Sequence, residues 1–299
     1  MTTATKTKRI NKSETAKICE EIQTICRNRN CNLKSRIMLE NRLLTSLAVS
    51  AFDYSSGLKE EDRQTRLDQA RALMKQIEDG EIESDFQGLV LSSREAINGF
   101  DAMVEMIDKE LIKLAKQLPV AKWVQRPQQA GFGVKSLGVV IGETGDLANY
   151  NAPGKLWKRM GLAPFEFKGQ RYAGSSFRQG RVRGLSNEQW TELGYAPQRR
   201  AVMYVIGENL IKLNHDAYRR RYDEAKEKAL KRPDWSECQT CEGWGDVKGR
   251  KCSMCKGSGK YKMHAHKHAM LLATKLLLKN LWMEWNPELA RHTWWVKNN

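Results

Sequence analysis

The sequence predicts a mainly α protein: a helical N-terminal module, a basic helix-hairpin-helix domain, and a small four-cysteine zinc knuckle inserted into that domain. Three observations predict it. No proline occurs before Pro119, and the apolar residues of that half recur at three- and four-residue steps. Glycines then crowd the chain at Gly131, Gly133, Gly138, Gly142, Gly145, Gly154 and Gly161. Four of the seven cysteines fall in two Cys-x-x-Cys pairs. A length of 299 residues suggests about two domains, and 40% hydrophobic residues suffice for a buried core.

Within residues 1–120 the first helical face is Ile18, Ile22, Ile25, Ile37, Leu39, Leu43, Leu44, Leu47 and Val49. Residues 59–79 form a charged helix closed by Gly80. A long amphipathic helix starts at Ser92 or Ser93 and stops at Pro119, with Ile97, Phe100, Met103, Ile107, Leu111 and Leu114 on one stripe. Such a stripe is a packing or dimerisation seam. The module is therefore expected to be coiled-coil-like, serving a homo-oligomer or docking a separate nuclease partner. A two-cation nuclease centre needs carboxylates on adjacent strands. No alternating run supplies a strand here, the nearest being FQGLVLSS, and Asp101, Glu105 and Asp108 fall at helical spacing as a solvated face. Cys19, Cys26 and Cys31 are loosely spaced and read as ordinary thiols.

Charge divides the chain at the same place. Residues 1–120 hold 19 Lys+Arg and 19 Asp+Glu, and residues 121–299 hold the remaining 32 and 16, so the whole net charge of +16 sits in the second part. A one-sided field of that size suits a polyanion, above all nucleic acid, whose condensed counterions are released as cations meet phosphates. A merely soluble basic surface, or a patch for acidic lipid, is the alternative. No run of eighteen apolar residues occurs, and the polar start MTTATKTKRINKSETAK lacks an apolar stretch behind it. Neither a membrane span nor a secretory signal is expected. The expectation is a cytoplasmic protein, nucleoid-associated in a bacterium.

The second part, 121–299, opens on Gly131-Phe132-Gly133 followed by Lys135. A tight Gly-x-Gly turn before a helix offers backbone N–H groups to phosphate, the grip of a helix-hairpin-helix. The same turn also closes ordinary loops, and a dinucleotide site would need a preceding strand. Then follow ETGDL, GKLWKRMGLAP, the loop KGQRYAGSSFRQGRVRG, TELGYAPQRR, and HKHAMLLATKLLLKNLW. The order of these five pieces over about 121–285 resembles the C-terminal transposase domain of the RNA-bridged insertion-sequence transposases, the bridge recombinase family. The resemblance implies a loop serine after G-L-x-P that attacks DNA, here Ser175 or Ser176, beside Arg171, Arg178, Arg181 and Arg183. Arginines there would stabilise charge on the attacked phosphate, and the same loop would equally serve as an inert phosphate contact. Arg199, Arg200 and the run Arg219, Arg220, Arg221 are further candidate nucleic-acid contacts. Two departures stand out: the loop between Ser176 and Thr191 is longer than in the family, and its acidic RuvC-like N-terminal domain is absent.

The segment 236–260 carries two copies of Cys-x-x-Cys-x-Gly-x-Gly with Cys238, Cys241, Cys252 and Cys255. Four thiolates close a tetrahedral Zn²⁺ site and leave no open position, so one structural zinc ion is expected. The repeats resemble the cysteine-rich region of the J-domain co-chaperones, from which only the metal site is carried over. His264, His266 and His268 cannot share one helical face, and only His264 with His268 could chelate together. The combined expectation is a nucleic-acid-binding, transposase-like protein acting in DNA transposition or site-specific recombination, with DNA and a structured RNA as partners. The alternatives are an active serine recombinase and an inert RNA- or DNA-binding scaffold of mobile-element or phage origin.

Overall fold

The computed structural model describes residues 12–167, 169–172, 197–232, 237–238, 240–247, 249–260 and 263–292. It is mainly helical, as the sequence predicts. Two compact units are formed, one of Thr24–Leu111, the other of the chain before and after it. The charge shift near residue 120 and these unit boundaries do not coincide, because residues before Thr24 belong with the later part of the chain. Ile18, Cys19 and Ile22 are buried, and the Gln23 amide lies where a side chain on Gly145 would sit. Burial and the nearby Asp146 carboxylate push the Cys19 thiol up to about 12, which leaves it inert.

The unit Thr24–Leu111 is built from most of α1 (Lys12–Phe52), from α2 (Glu60–Glu78) and from most of α3 (Gln87–Ala115). α1 closes where Asp53 turns left-handed and Tyr54 N–H bonds back to the Ala48 carbonyl at 3.0 Å. α2 ends the same way at Gly80, the stop read from the sequence. α3 starts five residues before Ser92, after a turn in which the Ser84 hydroxyl accepts from Phe86 N–H. FQGLVLSS is therefore the first turns of a helix. Ser92 instead bonds back to the Gly88 carbonyl at 2.7 Å.

Val90, Ile97, Val104 and Leu111 are buried at seven-residue intervals along α3; of the stripe expected from the sequence, Ile97, Leu111 and Leu114 are buried, whereas Met103 is exposed. Charged residues flank that seam. Arg29 meets Asp108 at 2.6 Å, and one heptad along α1 Arg36 meets Asp101 at 2.7 Å, so α1 and α3 run antiparallel. Asp108 is buried and is a partner of Arg29, not part of a solvated face. Four residues past Val104 and three before Leu111, it stands on the face of the buried stripe. Leu43, Leu47, Ala48, Ala70, Ile77 and Val90 complete the core where α2 joins. Ile37 and Val49, which periodicity places inside, are half exposed.

The other unit starts with α4 (Ala121–Val124), a 3₁₀ turn at Pro127–Gln129, α5 (Val134–Thr144), a second 3₁₀ turn at Leu147–Asn149, and α6 (Pro153–Arg159). A short antiparallel hairpin of β1 (Phe165–Phe167) and β2 (Gln170–Tyr172) follows. Then come α7 (Pro197–Leu213), α8 (Ala217–Leu230), a second small hairpin of β3 (Asp246–Val247) and β4 (Arg250–Lys251), α9 (Met263–Trp285) and α10 (Pro287–His292). α9 is the central element, packed by α6, α7 and α8. It can be approached closely because the facing residues are small. Ala225 on α8 meets a cluster with Ala269 and Ala273 on α9, and Gly207 lets α7 approach the Met270 and Thr274 side chains. No helix among the described residues is long and apolar enough to cross a membrane.

Candidate functional site

The cysteine segment joins α8 to α9, two packed antiparallel helices, so it sits in the connection of a helical hairpin. Its two repeats obey a local two-fold relation. Cys238 N–H bonds to the Gly259 carbonyl and Cys252 N–H to the Gly245 carbonyl, both at 2.9 Å. Glu237 pairs with Lys260 as Lys251 pairs with Asp246. The glycines are dictated by this interlock. A Cβ on Gly245 would lie 2.5 Å from the Gly257 carbonyl oxygen, and one on Gly259 would lie 2.1 Å from that of Gly243. Both glycines also have positive φ, 79° and 68°.

The interlock gathers the four sulfurs. Cys238 and Cys252 are 3.9 Å apart, Cys241 and Cys255 3.6 Å, and all four sulfurs lie within 4.8 Å of one another. A tetrahedron with metal–sulfur bonds of about 2.3 Å has edges of about 3.8 Å, whereas a disulfide brings sulfurs to about 2.05 Å. The set therefore has the spacing of a four-thiolate metal site. Gly245 N–H donates to Cys241 Sγ at 3.1 Å, the kind of contact that supports a ligating sulfur. Burial raises the Cys255 thiol, but the Cys241 sulfur and the N–H groups of Gly259 and Gly257 outweigh it and bring it down to about 6. Trp244, between the two glycines of the first repeat, is 85% exposed. Ser258, its mate in the second repeat, bonds back to the Cys255 carbonyl at 2.7 Å.

The Gly-x-Gly turn is held by packing. Asn214, fully buried, donates its amide to the carbonyls of Gln128 at 2.9 Å and Ala130 at 3.3 Å. Gly131 has φ of 89°, and a Cβ there would stand 2.6 Å from the Asn209 carbonyl oxygen on α7. Gly133, by contrast, is open and precedes the first turn of α5, where Lys135 is exposed. The E-x-G-D piece is likewise structural: Asp146 caps Ala148 N–H at 2.8 Å and accepts the Trp285 indole at 3.0 Å.

Among the candidate arginines, Arg199 meets Glu143 at 3.2 Å and Arg200 donates to the Gly161 carbonyl at 2.8 Å. Arg219 is tied to Asp223 at 2.8 Å and to the Ile211 carbonyl, above the Tyr222 ring. Arg220 and Arg221 are exposed. Arg171 lies on β2, opposite Glu166. Ser175, Ser176, Arg178, Arg181 and Arg183 lie outside the described residues. The histidines divide: the ring of His266 bonds the Tyr222 hydroxyl at 2.7 Å and faces Glu208 at 3.5 Å, while His268 lies among cations. Burial, then Lys275, Arg232 and Arg221, hold its pKa below the ordinary histidine value. Metal ligation by His268 has that crowd of positive charge against it.

Lys228, Arg232, His268 and Lys275 escape motif reading as a group. A signal for them is nevertheless present: Arg221, Ala225, Lys228 and Arg232 follow at four-, three- and four-residue steps, a stripe that runs along α8 and just past its end. Lys275 extends the group over the Trp157 ring, 5.4 Å from its centroid, and its own pKa is lowered by burial and by Arg200. Comparison with protein-family models, curated proteins and solved structures finds no match.

Proposed function

We propose that this chain is a nucleic-acid-binding, transposase-like protein acting in DNA transposition or site-specific recombination, with its nuclease partner supplied from outside the chain. Clustered positive charge carries the binding half of this reading. Burial, and then neighbouring cations, lower the pKa of three groups in the unit that carries the positive charge: Arg199 acts on Arg159, Arg200 on Lys275, and Lys275, Arg232 and Arg221 on His268. Repulsion of that kind is relieved by a polyanion. The transposition half rests on the resemblance of 121–285 to the bridge recombinase transposase domain. Zinc is the metal that four thiolates favour, and with all four positions filled its role is structural. It would brace the connection between α8 and α9.

The test is binding of the full chain to labelled DNA and RNA over a salt series. Affinity should fall linearly with salt on logarithmic axes, and binding indifferent to salt refutes the reading. A second reading, an inert scaffold, is favoured by the ion pairs that occupy Asp101 and Asp108. Among the described residues, Cys238, Cys241, Cys252 and Cys255 are the one set gathered to hold a metal. A covalent protein–DNA adduct lost in Ser175→Ala or Ser176→Ala would instead establish an active serine recombinase.

A further inference from the structure

The arginine run of α8 does not act as one patch. Arg219 is committed to Asp223 and the Ile211 carbonyl, whereas Arg221 opens onto a cleft between α8 and α9. That cleft, of about 430 Å³, is lined by Arg221, Glu224 and Lys228 from α8, by Arg232 just beyond its end, and by His268 and Leu272 from α9. Its volume falls in the range of roughly 300–1,000 Å³ typical of ligand clefts. Among the described residues that line the cleft, the charged groups around the His268 ring are Arg221, Lys228 and Arg232, with the carboxylate of Glu224, and Lys275 stands two turns along its own helix. Two guanidiniums offer planar donor forks suited to phosphate oxygens. Leu272 and Ala225 give the cleft an apolar floor, which strengthens electrostatic interactions within it.

We propose that this cleft seats a phosphate group, gripped by Arg221 and Arg232 with Lys228 beside them and His268 closing on it as a donor. The nucleic-acid reading above supplies only the molecule that carries the phosphate. An anion there offsets the cations around His268, so binding is coupled to proton uptake by the ring and tightens as pH falls toward about 6.5.

The five histidines of the full chain are titrated by proton NMR, with and without millimolar inorganic phosphate, using His268→Gln to assign the resonance. In parallel, a short labelled DNA duplex is bound across a salt series. Phosphate should raise the His268 pKa in the wild-type chain, and the Arg221→Ala, Arg232→Ala double variant should abolish the rise. The same variant should flatten the duplex salt slope by about 0.9, the amount for the one phosphate no longer neutralised. A rise with an unaltered slope assigns the seat to a free phosphate or nucleotide. A rise in a chain that binds no nucleic acid keeps the seat and overturns the broader reading. No rise with phosphate overturns the seat even if DNA binds.

Discussion

Replacing Gly259 with alanine tests the interlock that gathers the four cysteines. The new Cβ would lie 2.1 Å from the Gly243 carbonyl oxygen, so two backbone segments must separate by about 1 Å to reach ordinary contact. Alanine at φ of 68° adds about 1–2 kcal/mol of left-handed strain, and overpacking of backbone on backbone adds about 1–3 kcal/mol. Separation also strains the bond from Cys238 N–H to the Gly259 carbonyl. A total near 3 kcal/mol corresponds to roughly a hundredfold loss of zinc affinity, since metal binding and folding of such a module are one equilibrium. Competition with a chromophoric chelator measures it. Gly249→Ala is the control, because its Cβ meets nothing within 4 Å and only the strain of φ at 75° remains, worth about a tenfold loss. Equal losses in the two variants would refute the interlock.

Other perturbations have equally definite outcomes. Gly131→Ala drives a Cβ into Asn209 at 2.6 Å and should lower unfolding stability in urea by about 3 kcal/mol, whereas Gly133→Ala, with open space around it, should cost roughly a few tenths. Asn214→Ala leaves the carbonyls of Gln128 and Ala130 without their buried donor and should cost about 2–3 kcal/mol by the same assay. His268 has a folded pKa below its unfolded value, so the unfolded chain binds more protons below about pH 6.5 and stability declines as pH falls through that region. His268→Gln should remove part of that decline in urea midpoints measured from about pH 7.5 down to about 5, a range set by the ordinary histidine pKa of about 6.5. Metal chelation should loosen the α8–α9 connection, detected as faster amide exchange near Arg232 and His268.

Sequence reading was most informative where a pattern is local. Helix periodicity gives α9 from Met263 to Trp285 and the Gly80 stop, and cysteine spacing gives the four sulfurs that could hold a metal ion. It was least informative where a residue's partner lies far along the chain. Asp108 looks solvated by its helical spacing, yet Arg29, far away in sequence, draws it into a buried pair. Gly131 suggests a phosphate turn, whereas its missing side chain makes room for the backbone of α7. The cation cleft escapes motif reading because α8 with Arg232 just beyond it supplies one wall and His268 and Leu272 of α9 the other, on either side of the cysteine insertion. Each helix alone shows only an ordinary basic stripe.

The exchanged bonds of the two cysteine repeats imply that neither repeat holds its own fold. Each supplies half of the sulfurs and borrows its closing carbonyl from the other, so the module is a dimer written into one chain. A peptide carrying a single repeat should stay unstructured alone and pair with a second copy around one metal ion. Joined in one chain, the two halves meet whatever the protein concentration, and the positions left outside the shared bonds, Trp244 in solvent and Ser258 turned back on Cys255, can differ.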